Sequence, residues 1–355
     1  MIKIFGLPSH QTLKRTSGVD FARVIQPMKE LNKQKGFKVY LYDINKDAKL
    51  VWDEVAEKND IVFFNYMSMP WEFAKMGTMI RKHNKLMVLD LDDSLWHIME
   101  DNPVYNTIRG NPDYLKNFTA ICNEVDYITT TNKHLRNLIA HNTSKPTSKI
   151  KVLPNYIDLD NLYTHRTKFK DDHEIKLVHF GSTTHFIDLQ TEQFEEGVDR
   201  IMKEYPNVVF RTIGALIPKY KYKWGRRYEN SFGHQDVYKW IETKFPQFMD
   251  EADIFVTPLQ DNKYTRCKSA IKFLEASSAK IPGVWQGMRQ YEEVVDGENG
   301  LLAYSADDWY ENIKILIDDK ELRREMGEKA LKTVEKDWEM KKNIEKYMSF
   351  FTNIL

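Results

Sequence analysis

The sequence lacks most of the features that would assign a protein to a class by composition alone. Only two cysteines occur in 355 residues, Cys122 and Cys267, and they lie far apart, so no disulfide scaffold is implied. Charge of one sign is missing: 52 basic side chains balance 52 acidic ones, and no global field draws the chain to nucleic acid or to a membrane. A local basic patch remains allowed. No apolar run is long enough to span a bilayer, and no leader-like segment precedes the strand-like Ile2-Lys3-Ile4-Phe5. A reducing cytoplasm is therefore the expected setting. Low-complexity segments and short-period repeats are also absent.

What is present is alternation. Short apolar runs at 2–6, 37–43, 60–66, 85–91, 125–131 and 149–155 read as strands separated by helical patterns. The plan then repeats, with strand-like runs at 174–182, 207–214, 253–259 and 281–287. Strands alternating with helices predict an α/β fold of parallel, doubly wound sheets. The length suits two domains, and the polar stretch 159–173 is the expected linker.

The most informative segment is RCKSAIKFLEASSAKIPGV, 266–284, followed by YEEVVDGENGLL, 291–302. The spacing predicts a helix that carries Lys268, Lys272 and Glu275 on one face. Two cations and a carboxylate at a helix start suit a nucleotide: cations and first-turn N–H groups hold phosphate, and the carboxylate takes ribose hydroxyls. The alternative is a solvated face with an i, i+4 charge pattern. Ile281-Pro282-Gly283-Val284 then reads as a helix stop and a buried strand, with turns at Asp296-Gly297 and Asn299-Gly300.

This segment resembles the donor-site signature of GT-B glycosyltransferases, in particular the retaining family 4 (glycosyl transferases group 1). Glu275 matches the family's second carboxylate, Glu293 its E-V element, and Gly297 and Gly300 its turn. The family's first carboxylate is replaced by Cys267, but residues 267–275 fit a C-K-S-x-x-K-x-x-E version in which lysines reach the pyrophosphate. Further pieces resemble the family in order: Ser17-Gly18-Val19, 126–135, KIKVLPNYIDLDNLY at 149–163, HFGSTTH at 179–185, FMDEADIFVTPL at 248–259, and the closing helices through 337–347. The resemblance implies two Rossmann-like domains facing a cleft. The first, 1–165, would take the acceptor and the second, 166–335, the nucleotide sugar, with 336–355 crossing back onto the first.

Several sites follow as expectations. Gly181-Ser182-Thr183-Thr184 follows a strand, and its N–H groups and hydroxyls would meet the donor pyrophosphate at the start of a helix, with His185 next to them. The alternative is a tight strand-to-helix turn. The family's usual Arg and Lys after this loop are missing, which moves phosphate binding onto Lys268, Ser269 and Lys272. THFIDL, 184–189, resembles members that share the C-K-S helix. Asp261, beside Asn262, would touch donor-sugar hydroxyls or simply build a turn.

Asp90-Leu91-Asp92-Asp93 ends a buried strand, where sites form in open α/β sheets. The acids would bind a metal, recognise an acceptor hydroxyl, or cap the helix that follows. Asp92, Asp93 and His97 are the catalytic candidates, with Lys272. PKYKYKWGRRY, 218–228, interleaves cations with aromatic rings. Lys223, Trp224 and Arg226 would there grip an anionic polymer such as DNA, or a glycan; the alternative is an exposed loop. With Gly18, they complete the acceptor-binding candidates.

The implied activity is transfer of a sugar from a nucleoside diphosphate, a UDP-sugar, to a hydroxyl acceptor with retention. No tightly bound cofactor and no divalent metal are expected. The acceptor would be a glycan, a small molecule or, for a phage enzyme, a hydroxymethylated DNA base. A nucleotide-sugar epimerase of the same fold and a non-catalytic nucleotide-sugar binder are the competing readings.

Overall fold

The computed structural model describes residues 1–8, 18–47, 49–66, 73–160, 174–214, 216–231 and 245–355. Ser17 and most of the expected linker, 161–173, lie outside them. In the first half the apolar runs become β1 (Ile2–Leu7), β2 (Phe37–Leu41), β3 (Ile61–Asn65), β4 (Leu86–Leu91), β5 (Tyr127–Thr130) and β6 (Ile150–Val152). They form one parallel sheet in the order β2-β1-β3-β4-β5-β6. β3 is buried at every position, as expected of a parallel strand covered on both faces.

The second half repeats the plan with β7 (Ile175–Gly181), β8 (Val208–Gly214), β9 (Tyr228–Ser231), β10 (Ile254–Thr257), β11 (Gly283–Gln286) and β12 (Leu301–Ala303). Their order is β12-β11-β10-β7-β8-β9, again parallel. The two edge strands are absent from the sequence reading. β12 is short, and β9 is cut from the end of the basic stretch 218–228, whose alternating charges hide its pairing with β8.

That stretch differs from the expectation. Pro218–Trp224 is a helix whose Tyr220 and Trp224 are core, while Tyr222 is exposed. Tyr220, Trp224 and Tyr228 are buried together against Phe210, with Tyr220 and Trp224 stacked at 4.3 Å. Trp224 Nε1 donates to Asp199 Oδ1 at 3.1 Å, and Lys223 pairs with the same carboxylate. Arg227 donates to the carbonyls of Tyr205 and Met202. Trp224 therefore offers no face for stacking on a ligand. At helical spacing Tyr220 and Trp224, four apart, share the buried side, while Tyr222 between them points to solvent.

One buried cation organises the first half. The helical segment that opens at Gly18 passes through a π turn, Phe21–Ile25, which buries Arg23. Its guanidinium grips Asp90 of β4 with two bonds, at 3.0 and 2.8 Å. It also donates to the carbonyl of Leu153 at 2.8 Å and to Asn155 Oδ1 at 2.9 Å. Asp90 accepts further bonds from Thr129 at 2.6 Å and Asn65 at 3.2 Å. A charge this deep is tolerated only when its partners are this complete.

The halves interlock. Tyr264 and Cys267 of the second half sit in the core of the first, while Phe21 and Ile157 sit in the core of the second. Asn132 Nδ2 donates to the Cys267 carbonyl at 2.7 Å, and Asn155 Nδ2 to Ser269 Oγ at 2.7 Å. The last helix, Met340–Asn353, returns to the first sheet, packing Ile344, Tyr347, Phe350 and Phe351 among Ile4, Val24 and Met28. If Arg23 is the tie described, Arg23→Met leaves Asp90 buried and unpaired and costs about 3–5 kcal/mol. Urea denaturation should show that loss, while the exposed Lys58→Met leaves the midpoint unchanged; equal midpoints would contradict the assignment.

Candidate functional site

The strand ends of both sheets meet across a cleft, and the 260–275 segment of the second half forms one wall. Its local structure departs from the sequence reading. Asn262 Oδ1 accepts from the N–H groups of Tyr264 and Thr265 at 3.0 Å each, which nucleates a 3-10 turn, Thr265–Cys267. Lys268 follows in extended conformation, and the helix begins only at Ile271 (Ile271–Ser278). Lys272 and Glu275 share that helix; Lys268 does not, so the three are not one helix face. The Asx-type turn at Asn262 outcompetes helix continuation.

Lys268 reaches across the cleft. Its Nζ lies 3.3 Å from Asp93 Oδ1 and 3.4 Å from the Tyr264 hydroxyl, which donates to Asp93 Oδ2 at 3.0 Å. The ammonium also sits over the Tyr264 ring. Burial works against its charge, but Asp93 and Tyr264 outweigh that and push its pKa up. Cys267 does not replace the missing acid: burial pushes the thiol up to about 12, and it donates to the Lys263 carbonyl at 3.1 Å. The carboxylate beside Lys268 comes from the other half instead.

Lys272 is held differently. Its Nζ lies 2.9 Å from His185 Nε2, and His185 Nδ1 lies 2.8 Å from Asp188 Oδ2. Asp188 Oδ1 accepts from the Gln260 N–H at 3.0 Å. Burial, then Lys272 and Lys268, keep His185 well below the usual histidine range. The imidazole is therefore neutral, with Nδ1–H donated to Asp188 and Nε2 accepting from the lysine. A neutral partner positions Lys272 without cancelling its charge. Burial and the neighbouring Lys268 then pull Lys272 down to about 8.

The loop after β7 is also not the expected helix start. Ser182 is followed by the 3-10 turns Thr183–His185 and Asp188–Gln190, and the helix begins at Glu192. The burial of His185 and Asp188 consumes the residues in between. Gly181 is needed for packing: a Cβ there would stand 2.8 Å from His185 Cδ2 and 3.0 Å from His179 Nε2. Gly214, beside it at φ +90°, lets β8 approach the Gly181 carbonyl, which a side chain would strike. Ser182 Oγ is exposed and 2.6 Å from Thr184 Oγ1.

The acids at the end of β4 divide their roles. Asp90 is the buried partner of Arg23, and Asp93 faces Lys268. Neither Asp92 nor Asp93 caps a helix: the turn Leu95–His97 is preceded by Ser94, whose Oγ lies 2.8 Å from His97 Nδ1. Asp92 Oδ1 is shielded and unpartnered. Burial, then Asp93 and Asp90, raise its pKa well above the usual carboxylate range. His97 is pulled down by burial, then by Lys263 and Arg109. Among the described residues no His, Cys, Asp and Glu cluster is arranged to hold a metal ion. Asp261 is exposed and forms a two-bond pair with Arg266, at 2.5 and 2.7 Å. Gly18 opens the first helix with open space above its Cα, and Arg226 lies in the turn Gly225–Arg227.

Beside Lys268 and Ser269 a cavity of about 330 Å³ runs along the cleft. It is lined from the first half by Thr131–His134, Val152, Pro154 and Asn155, and from the second chiefly by Arg266, Lys268, Ser269, Arg289, Gln290 and Glu293. Lys272, His185 and Glu275 do not line it. Sequence reading misses Asp188, Tyr264, Asn155 and Gln290 as site residues. Asp188 left a signal as the D of THFIDL, and Asn155 as the first N of KIKVLPNYIDLDNLY.

The buried, neutral Asp92 makes a testable case. Its raised pKa gives stability that is fully present below the unfolded value and lost as pH rises toward the folded one. Asp92→Asn has no such loss. Urea denaturation should find the variant more stable than the parent at neutral pH, with the gap closing toward about pH 4. A gap that is absent or widens on acidification would contradict the burial argument.

Comparison with known proteins agrees with this geometry. Residues 174–319 match the family described as glycosyl transferases group 1. No curated protein matches the chain in sequence. Among solved structures, TarM is similar at 16% identity and a TM-score of 0.62, over 84% of this chain and 57% of its own. The chain thus spans little more than half the length of that relative. HepE of Anabaena, solved with UDP and glucose, is similar at 13% identity and a TM-score of 0.66, over 99% of this chain and 100% of its own. Sucrose-phosphate synthase of Thermosynechococcus elongatus is similar at 13% identity and a TM-score of 0.66, over 100% of this chain and 99% of its own. At such identities the likeness is one of fold. The fold is thus the one shared with these GT-B glycosyltransferases, and residues 174–319 match a glycosyl transferases group 1 domain.

Proposed function

We propose that the chain transfers a sugar from a UDP-sugar to a hydroxyl acceptor, with retention at the anomeric carbon. The observation that carries this reading is the pair of shielded lysines in the cleft, Lys268 and Lys272, one of them held by a neutral imidazole. A buried cation whose partner carries no charge is costly without a ligand. A diphosphate supplies the missing anion. The solved HepE complexes with UDP and UDP-glucose support the choice of nucleotide.

In this reading the sugar–diphosphate C–O bond breaks, and Lys272 and Lys268 stabilise the charge that develops on the leaving diphosphate. Asp93 then exchanges its contact with Lys268 for the incoming ligand. Glu275, one turn along the helix from Lys272, takes the ribose hydroxyls. Burial, then Asp93 and Asp90, hold the Asp92 carboxyl above the usual carboxylate range, which favours its neutral form over a role as base. The acceptor's proton departs with the diphosphate. Because lysines meet the phosphate charge, binding needs no divalent ion and persists in chelator. The reading places the enzyme in the cytoplasm; no helix among the described residues is long and apolar enough to cross a membrane. A modified DNA base loses most of its support as acceptor, since Tyr220, Trp224 and Tyr228 are buried and only Tyr222 of these rings is exposed, and a glycan or polyhydroxylated small molecule is the better fit.

Calorimetric titration with UDP tests this directly. Lys272→Met should cost about 1.5–3 kcal/mol of binding, or about ten- to a hundred-fold in affinity. Diphosphate restores the lysine's charge, so binding should take up protons above about pH 8, and affinity should fall as pH rises through that value. Full UDP affinity in Lys272→Met, or no proton uptake, would overturn the assignment. Tight binding without turnover on any acceptor would favour the non-catalytic reading.

A further inference from the structure

The cavity beside the donor lysines has a chemistry that the donor does not use. Its wall from the first half is the opening of the helix Lys133–Asn142, capped by Asn132, whose side chain accepts from the Leu135 N–H. Helix openings favour anions. Lys133 and Arg289 line the cavity, and neither side chain has an ion-pair partner among the described residues. His134, in the same lining, is pulled down by burial, then by Arg289 and Arg266, which reports positive surroundings.

The opposite wall asks for something else. Gln290 is only 5% exposed. Its Nε2 donates to the Thr265 carbonyl, which fixes the amide orientation. Gln290 lines the cavity, and its Oε1 has no partner. Glu293 Oε2, in the same lining, is likewise shielded and unpartnered, and burial pushes the carboxyl up to about 7. Two buried acceptor atoms without donors are expensive. A ligand with hydroxyl groups would satisfy both, while Lys133 and Arg289 require that it also carry negative charge. Glu292, exposed on the rim, is the opposing charge and faces solvent.

We propose that this cavity binds a hydroxyl-rich anion, a sugar phosphate or polyol phosphate, as the acceptor of the transfer. The anionic group lies against Lys133 and Arg289, and hydroxyls donate to Gln290 and Glu293. Lys268 and Ser269 form both the edge of this cavity and the start of the donor segment, so a hydroxyl held here lies next to the donor. That the occupant is the acceptor rests on the transferase reading; that the cavity binds it does not.

The probes are glucose 6-phosphate, glucose and inorganic phosphate, titrated calorimetrically into the full chain with and without UDP. Glucose 6-phosphate should bind about ten-fold or more tightly than either fragment, since both walls must contribute. Arg289→Ala should remove that advantage, again by about ten-fold, and leave UDP affinity unchanged. Gln290→Leu should weaken glucose 6-phosphate but not phosphate. Phosphate binding as tightly as glucose 6-phosphate would overturn the proposal, and so would an Arg289→Ala variant with parental affinity. Failure of UDP to bind would sink the transferase reading while leaving the cavity to be judged by the glucose 6-phosphate titration. Binding of glucose 6-phosphate without sugar transfer onto it would overturn its role as acceptor.

Discussion

The buried Arg23–Asp90 pair is the contact on which the rest of the structure depends. Arg23 is fully inside, and its bonds join the end of β4, through Asp90, to the segment after β6, through the Leu153 carbonyl and Asn155. Asn155 passes the connection on to Ser269 at the head of the donor segment. Because an isolated charge at that depth is untenable, these elements keep fixed spacing or the fold pays heavily. Asp92 and Asp93 follow directly on β4, so their positions at the cleft inherit that rigidity. The site is thus anchored from both halves through one guanidinium.

The cleft uses two ways of holding a cation ready. Lys268 is held by a carboxylate and a phenol, which a ligand must displace. Lys272 is held by an imidazole that a carboxylate fixes from behind, which costs no charge. The first arrangement couples ligand binding to the contact between halves, since Asp93 belongs to one and Lys268 to the other. The second gives a lysine whose charge responds to its ligand. Preorganised cations of this kind lower the energy of a departing diphosphate without reorganising during the reaction.

Much of the fold was legible in the sequence because parallel strands covered on both faces are continuous apolar runs. The ten runs read as strands all became strands, with ends shifted by no more than three residues. The edge strands escaped, β12 because it is short and β9 because its Tyr228 reads as part of a basic, aromatic stretch. Trp224 reads as surface for the same reason: rings and cations alternate along the stretch, and only tertiary packing separates the buried Tyr220, Trp224 and Tyr228 from the exposed Tyr222. At the site, Lys272 and Glu275 could be placed on one helix by spacing. Lys268 could not be placed correctly, because the Asn262 turn that breaks the helix is a local hydrogen-bond competition that spacing does not register. Asp93, Tyr264 and Asn155 find partners more than a hundred residues away, and no local pattern records such pairs.

The account's central claim is that Lys268 and Lys272 together form the diphosphate site. The most direct test is a crystal structure of the chain with UDP. The account predicts both ammonium groups within hydrogen-bond distance of the diphosphate, His185 still bonded to Lys272 and Asp188, and Asp93 parted from Lys268. A diphosphate bound elsewhere in the cleft, with the Lys268–Asp93 and Lys272–His185 contacts unchanged, would contradict it.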